Sequence, residues 1–182
     1  RFVRFMAKDS VFRHPIAGPL MRGMKHIPVD RHDGSVAFET AVAAARAGEL
    51  IGVFPEATMS RSLEIKELKN GSVRMAREAE VPLIPMIVFG GHRVLSYDVR
   101  DFTRGRTICM TIGRPMASNN DVDEMTHALR STLSELLDET IYRYPDKPPG
   151  APWIPQRHGG SAPSLEEAAR IEEQRRAARE ST

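Results

Sequence analysis

The stretch Leu50-Ile51-Gly52-Val53-Phe54-Pro55-Glu56-Ala57-Thr58-Met59-Ser60-Arg61 decides how the chain is read. Leu50 to Phe54 is a short, continuous apolar run of the kind that fills a buried strand. Pro55 ends it, because proline cannot donate to a sheet ladder. Glu56 follows at once, so a carboxylate stands where a strand leaves its sheet and turns to solvent. Ligands of open α/β sheets bind outside the carboxyl ends of the strands, so this turn reads as a binding element rather than as packing.

Working outward, Phe2 to Ala7 alternates as a strand, and Asp9-Ser10 offers a cap to the helix after it. Pro15 and Pro19 make that helix short or broken. His26 to Val29 reads as a second strand, ending at Asp30-Arg31. Phe38, Ala41, Val42 and Ala45 share one helix face, with Gly48 as the cap. Asn70 to Glu80 predicts another helix, and Leu83 to Phe89 a continuous apolar strand broken by Gly90-Gly91. Arg106 to Ile112 gives a last strand, and Asp121 to Tyr142 a long amphipathic helix. Strands alternating with helices predict an α/β fold: a largely parallel or mixed central sheet flanked by helices. Asp30-Arg31, Pro55 to Arg61 and Gly90 to Arg93 all follow strands and are expected to converge on one edge.

The 182 residues suffice for one domain with a real core, and 41% apolar with 27% charged residues is an ordinary globular composition. Residues 1–143 read as the main domain, 144–163 as a proline-rich tail pinned by Trp153 and Ile154, and 164–182 as a charged helix or disordered tail capped by Ser164-Leu165-Glu166-Glu167. The net charge is +2, but residues 1–31 hold seven basic against two acidic residues, a net +5, leaving −3 elsewhere. Such an end suits anionic headgroups or phosphate, or is a solvated basic surface. No aromatic interleaving accompanies it, which argues against nucleic acid. The single cysteine, Cys109, excludes an internal disulfide and reads as a structural thiol. No stretch approaches the length of a membrane span, and no metal site is expected.

Ile27-Pro28-Val29-Asp30-Arg31, the stretch from Phe54 to Ser62, and Val81-Pro82-Leu83-Ile84-Pro85 together resemble three motifs of the glycerolipid acyltransferase family, in order and at family-like spacing. The combination of Phe54 to Ser62 followed by Glu64-Ile65-Lys66 with the tail from Trp153 to Pro163 is similar to the actinobacterial branch. The resemblance implies a glycerophosphate acyltransferase-like fold. It also implies transfer of a fatty acyl group from a thioester donor, acyl-CoA or acyl carrier protein, to the free hydroxyl of 1-acyl-glycerol-3-phosphate. No bound cofactor is implied. The partners implied are a lysophosphatidate-type lipid, the acyl donor and a membrane surface, with the protein peripheral or monotopic on the cytoplasmic face. In the family, the histidine of a His-x4-Asp motif takes the proton of the acceptor hydroxyl and the aspartate orients it. None of the six histidines here has an aspartate five positions on. The resemblance puts that pair upstream of Arg1, so the chain by itself is expected to be inactive.

The residues expected at the acceptor and its phosphate are Arg31, Glu56, Thr58, Ser60, Arg61 and Lys69. Arg31 would offer its planar fork to phosphate, against the alternative of a solvated Asp30-Arg31 pair. Glu56 would accept from glycerol hydroxyls or hold an arginine, while Thr58 and Ser60 supply hydroxyls. Lys69 precedes a helix start and resembles the lysine of a Lys-Thr-Gly element. Two departures stand out: Ala57 where the family has glycine, and Met59 where it has arginine. Alanine argues against a backbone needing positive φ, and Met59 shifts phosphate binding onto Arg31, Arg61 or Lys69. Lys66 reads as a solvated side chain. His92, in a loop after a strand, is the remaining substitute base. The rival readings are a non-catalytic phosphate- or lipid-binding module and acylation of another lysophospholipid. A hydrolase lacks its Gly-x-Ser-x-Gly elbow.

Overall fold

β1 (Val3–Lys8) lies between β2 (Ile27–Val29) and β3 (Leu50–Gly52), parallel to both, in a computed structural model that describes residues 2–30, 33–97, 99–118 and 121–180. The register sets Met6 against Ile27 and Phe5 against Gly52. Gly52 is there for space: a Cβ would stand 2.5 Å from the Phe5 ring. Two short helices, α1 (Asp9–Phe12) and α2 (Ala17–Gly23), connect β1 to β2; Pro15 lies at the break between them, while Pro19 sits in the first turn of α2, where its missing N–H interrupts nothing. α3 (Ser35–Arg46) and α4 (Gly71–Ala79) complete this part. Ala37, Ala41 and Val42 of α3 meet Met75 and Ala79 of α4 and Ile27 of β2 in one buried cluster. Arg46 ties the two helices further by donating to the Glu78 carbonyl, 2.6 Å.

β4 (Met86–Phe89) and β5 (Cys109–Ile112) form a separate two-stranded antiparallel sheet. Ile87 and Phe89 are buried while Met86 and Val88 are exposed, as are Met110 and Ile112 on β5. The continuous apolar run predicted for this strand therefore alternates, with one face covered and one open. The covered face meets α5 (Val122–Arg143), whose Leu133, Leu136, Leu137 and Ile141 are buried at helical spacing. Gly90 permits the turn after β4: its φ is +101°, and a Cβ would lie 2.3 Å from the Thr107 carbonyl oxygen. The tail from Tyr144 to Pro163 packs by Tyr144, Ile154, Pro155 and Ala162, all buried. It leads into α6 (Leu165–Glu180), opened by a reciprocal cap: Ser164 N–H donates to Glu167, 2.8 Å, and Glu167 N–H to the Ser164 hydroxyl, 3.2 Å.

The chain divides into two units. The first holds residues 1–55, 69–83 and 115–127, and the second 56–68, 84–114 and 128–182. The three-stranded sheet of the first unit is parallel and the two-stranded sheet of the second is antiparallel. Two expectations change. Strand β3 is only half-buried, and Phe54 beyond it is 72% exposed with its ring stacked on Phe5. Gly90 to Arg93 follow a strand of the antiparallel sheet, not of the sheet that ends at Asp30 and Pro55.

Candidate functional site

The first unit gathers an anion-suited site at one end of its sheet. β2 and β3 run parallel beside β1, so Asp30 and Phe54-Pro55 leave the sheet at the same end. Lys69 N–H donates to the Pro55 carbonyl, 2.9 Å, which brings the beginning of α4 to that end too. The residue before α4, Asn70, makes no side-chain cap bond among the described residues. Ser72, in the first turn, is only 7% exposed, and its Oγ is buried without a hydrogen-bond partner among the described residues. Burying an unsatisfied hydroxyl costs about 1–3 kcal/mol, so an orphan of this kind calls for a cause. A helix amino end without a side-chain cap, with an orphan hydroxyl and exposed Lys69, suits a bound oxyanion. Arg31 lies outside the described residues.

The second unit holds the segment from Glu56 to Leu68. Thr58 N–H donates back to the Glu56 carbonyl, 2.7 Å, across Ala57, whose φ is +61°. An i to i+2 bond with a left-handed centre is a strained γ-turn. The alanine thus occupies the positive-φ backbone that its side chain was expected to exclude, and Leu63 does the same at φ +59°. Burial raises the Glu56 carboxyl above its ordinary value of 4.5, against the pull of the Lys66 N–H, which donates to it at 3.4 Å, and of the Lys66 charge. Lys66 is no solvated side chain. Its ammonium donates to the Thr58 hydroxyl, 2.7 Å, and pairs with Glu172 of α6 at 3.3 Å. Ser60 bonds the fully buried Ser62 hydroxyl, 2.8 Å. The Arg61 guanidinium lies over the Tyr97 ring, 4.3 Å from its centroid.

The structure brings Glu56 and Thr58 together through Lys66, sets Ser60 against Ser62 and Arg61 against Tyr97, and anchors the Lys69 backbone to Pro55 in the other unit. His92 is a packing residue: its Nε2 bonds the Trp153 carbonyl, 3.1 Å, and its ring meets the Phe89 edge. Burial lowers its pKa, with the nearby Arg93 charge in the same direction and the Trp153 bond opposing. Arg93 is buried between the Tyr144 hydroxyl, Asp146 and the Trp153 ring, so Trp153 does hold the tail. An open depression of about 520 Å³ on α5, lined by Asp138, Tyr142, Lys147 and His158 among others, contains none of the expected acceptor residues. Reading the sequence missed Ser72 and Lys66. Ser72 had a signal, a hydroxyl in the first turn directly after Lys69-Asn70-Gly71. Lys66 had none, because Glu172 lies 106 positions away.

The sequence profile of the family described as Acyltransferase matches residues 1–89. A 1-acyl-sn-glycerol-3-phosphate acyltransferase of Bacillus subtilis is 29% identical over 143 residues, which is 74% of this chain and 68% of that protein. Its counterpart in Borreliella burgdorferi is 30% identical over 141 residues, 76% of this chain and 54% of that one. The counterpart in Limnanthes douglasii is 32% identical over 91 residues, 48% of this chain and 32% of the relative. The crystal structure of the 1-acyl-sn-glycerophosphate (LPA) acyltransferase PlsC from Thermotoga maritima superposes with a TM-score of 0.67 at 19% identity, covering 80% of this chain and 59% of that one, a likeness of fold. The chain thus spans from about a third to about two thirds of the length of these proteins. In its profile match over residues 1–89, its relatives and its fold, the chain is similar to the acyltransferase family.

Proposed function

We propose that the protein takes part in phospholipid synthesis by transferring a fatty acyl group from an acyl thioester to the free hydroxyl of 1-acyl-glycerol-3-phosphate. This chain supplies the acceptor-binding share of that reaction. The observation that carries the proposal is the amino end of α4, where an uncapped helix start, the orphan Ser72 hydroxyl and Lys69 stand at the carboxyl end of a parallel sheet. The acceptor phosphate binds Lys69 and the first N–H groups of α4, and Arg31 adds its paired donors. Glu56 accepts from the glycerol hydroxyls. Thr58, Ser60 and Arg61 complete the polar lining, and Lys66 fixes Thr58 for that task. The acyl donor is coenzyme A or a carrier protein, no cofactor is held, and the protein works as a peripheral or monotopic enzyme at the cytoplasmic face of the membrane.

The chain contains no His-x4-Asp pair, so the proton of the acceptor hydroxyl has no matching base among its 182 residues. The test compares the 182-residue chain with the complete gene product, using lysophosphatidate and acyl-CoA. The expected result is phosphatidate from the complete product, and acceptor binding without turnover from the chain alone. Turnover by the chain alone, or no turnover by the complete product with either donor class, contradicts the proposal.

A further inference from the structure

Between β4 and β5 the second unit inserts a small hairpin that packing does not explain. Asp101 N–H donates to Val94, and Ser96 N–H to Val99, both 2.9 Å, with Leu95 opposite Arg100. The hairpin and the residue after it point apolar groups outward: Leu95 is 54% exposed, Tyr97 43%, Val99 37% and Phe102 73%. Exposed aromatic and aliphatic side chains so close together mark an interaction surface rather than ordinary surface scatter. Arginines interleave with them. Arg100 and Arg104 are exposed, and Arg106 pairs with Asp101, whose carboxyl is held near about 2 by Thr103 and then by that arginine. Arg61, at the end of the Glu56 segment, lies over Tyr97 itself. Asp98, within the turn, lies outside the described residues. The described apolar groups, flanked by guanidinium groups, match a water–lipid interface, where rings enter the headgroup layer and cations stay with the phosphates. An acidic protein partner would pair the arginines but leave Phe102 and Leu95 without a place.

We infer that Leu95, Tyr97, Val99 and Phe102, with Arg100 and Arg104, form a membrane-docking tip that seats the second unit on an anionic lipid surface. The inference borrows from the proposed function only that the acceptor comes from a lipid layer, and its readout is vesicle binding without acyl transfer, so each can fail alone. The tip places the Arg61 end of the polar segment next to the surface that supplies lipid.

The test sediments the 182-residue chain with vesicles of phosphatidylcholine, with and without phosphatidylglycerol. Binding is expected only to the anionic vesicles, weakening about fivefold for Arg100→Gln and again for Arg104→Gln. Phe102→Ser weakens it about tenfold or more. In a second measurement, Phe102→Trp is quenched by brominated lipid while Tyr142→Trp is not, with Trp153 the same background in both. Three results overturn the inference: no binding to anionic vesicles, binding indifferent to Phe102→Ser, or equal quenching of the two tryptophan variants. A shift in oligomeric state by Phe102→Ser without vesicles also overturns it, by assigning the surface to a second copy.

Discussion

Two irregular segments of the second unit, Glu56 to Leu68 and Tyr144 to Pro163, use the same freedom of backbone to opposite ends. The tail is closed on itself. Ala162 donates to Ile154, Gly160 to Pro155 and Ser161 to Ala151, and Tyr144 and Ile154 are each 1% exposed. The Tyr144 hydroxyl accepts from Arg93 and donates to the Thr107 carbonyl, so even its polar atom is used. The Glu56 segment holds two non-glycine residues in left-handed conformation, a half-buried carboxylate and a lysine shared between two partners. What separates the two is where strain and polar groups are kept. Strain that surrounding structure sustains gathers at working sites, and here it sits in the segment proposed to meet the acceptor.

The widest separation comes from Tyr144→Ala. Emptying a fully buried aromatic site and stranding Arg93 costs about 3–5 kcal/mol, read as a drop in the urea midpoint. A cost below about 1 kcal/mol there would mean that the tail does not share the core. A smaller effect of opposite sign is expected from Ala57→Gly. Relief of left-handed strain, about 1–2 kcal/mol, exceeds the added freedom of the unfolded chain and leaves a gain of about 0.5–1 kcal/mol. A loss of stability would place Ala57 outside the left-handed region. Smallest is the titration of Glu56. Its folded pKa lies above the unfolded 4.5, so its contribution is fully present below that pH and is lost as pH rises through the folded value. Glu56→Gln should remove that falling step from the stability–pH curve, and an unchanged curve would show that the carboxyl is not desolvated.

Much of the fold was legible because it rests on local pattern. The helix face of Phe38, Ala41, Val42 and Ala45, the break at Pro15 between the first two helices and the alternation of strand with helix all follow from spacing and backbone chemistry. The open face of β4 and β5 was not legible, since an unbroken apolar run does not tell which side is covered. The candidate site was proposed from residue types in a motif, Glu56 and Lys69 among them. Its wiring was not, because Lys66 takes its meaning from Glu172 and Arg61 from Tyr97, pairings that only tertiary structure creates. Ala57 misled for a physical reason: a preference of about 1–2 kcal/mol for ordinary φ is small enough for the surrounding turn to override.

The account turns on whether the start of α4 binds the phosphate of a lipid acceptor. Calorimetric titration of the 182-residue chain with lysophosphatidate and with the monoacylglycerol lacking the phosphate tests it most directly. The expected result is saturable binding at least about tenfold tighter for the phosphorylated lipid, a difference that Lys69→Met and Arg31→Gln each reduce, since hydrogen bonds to charged groups are worth about 1.5–3 kcal/mol. Equal affinity for the two lipids, or a preference untouched by both substitutions, would contradict it.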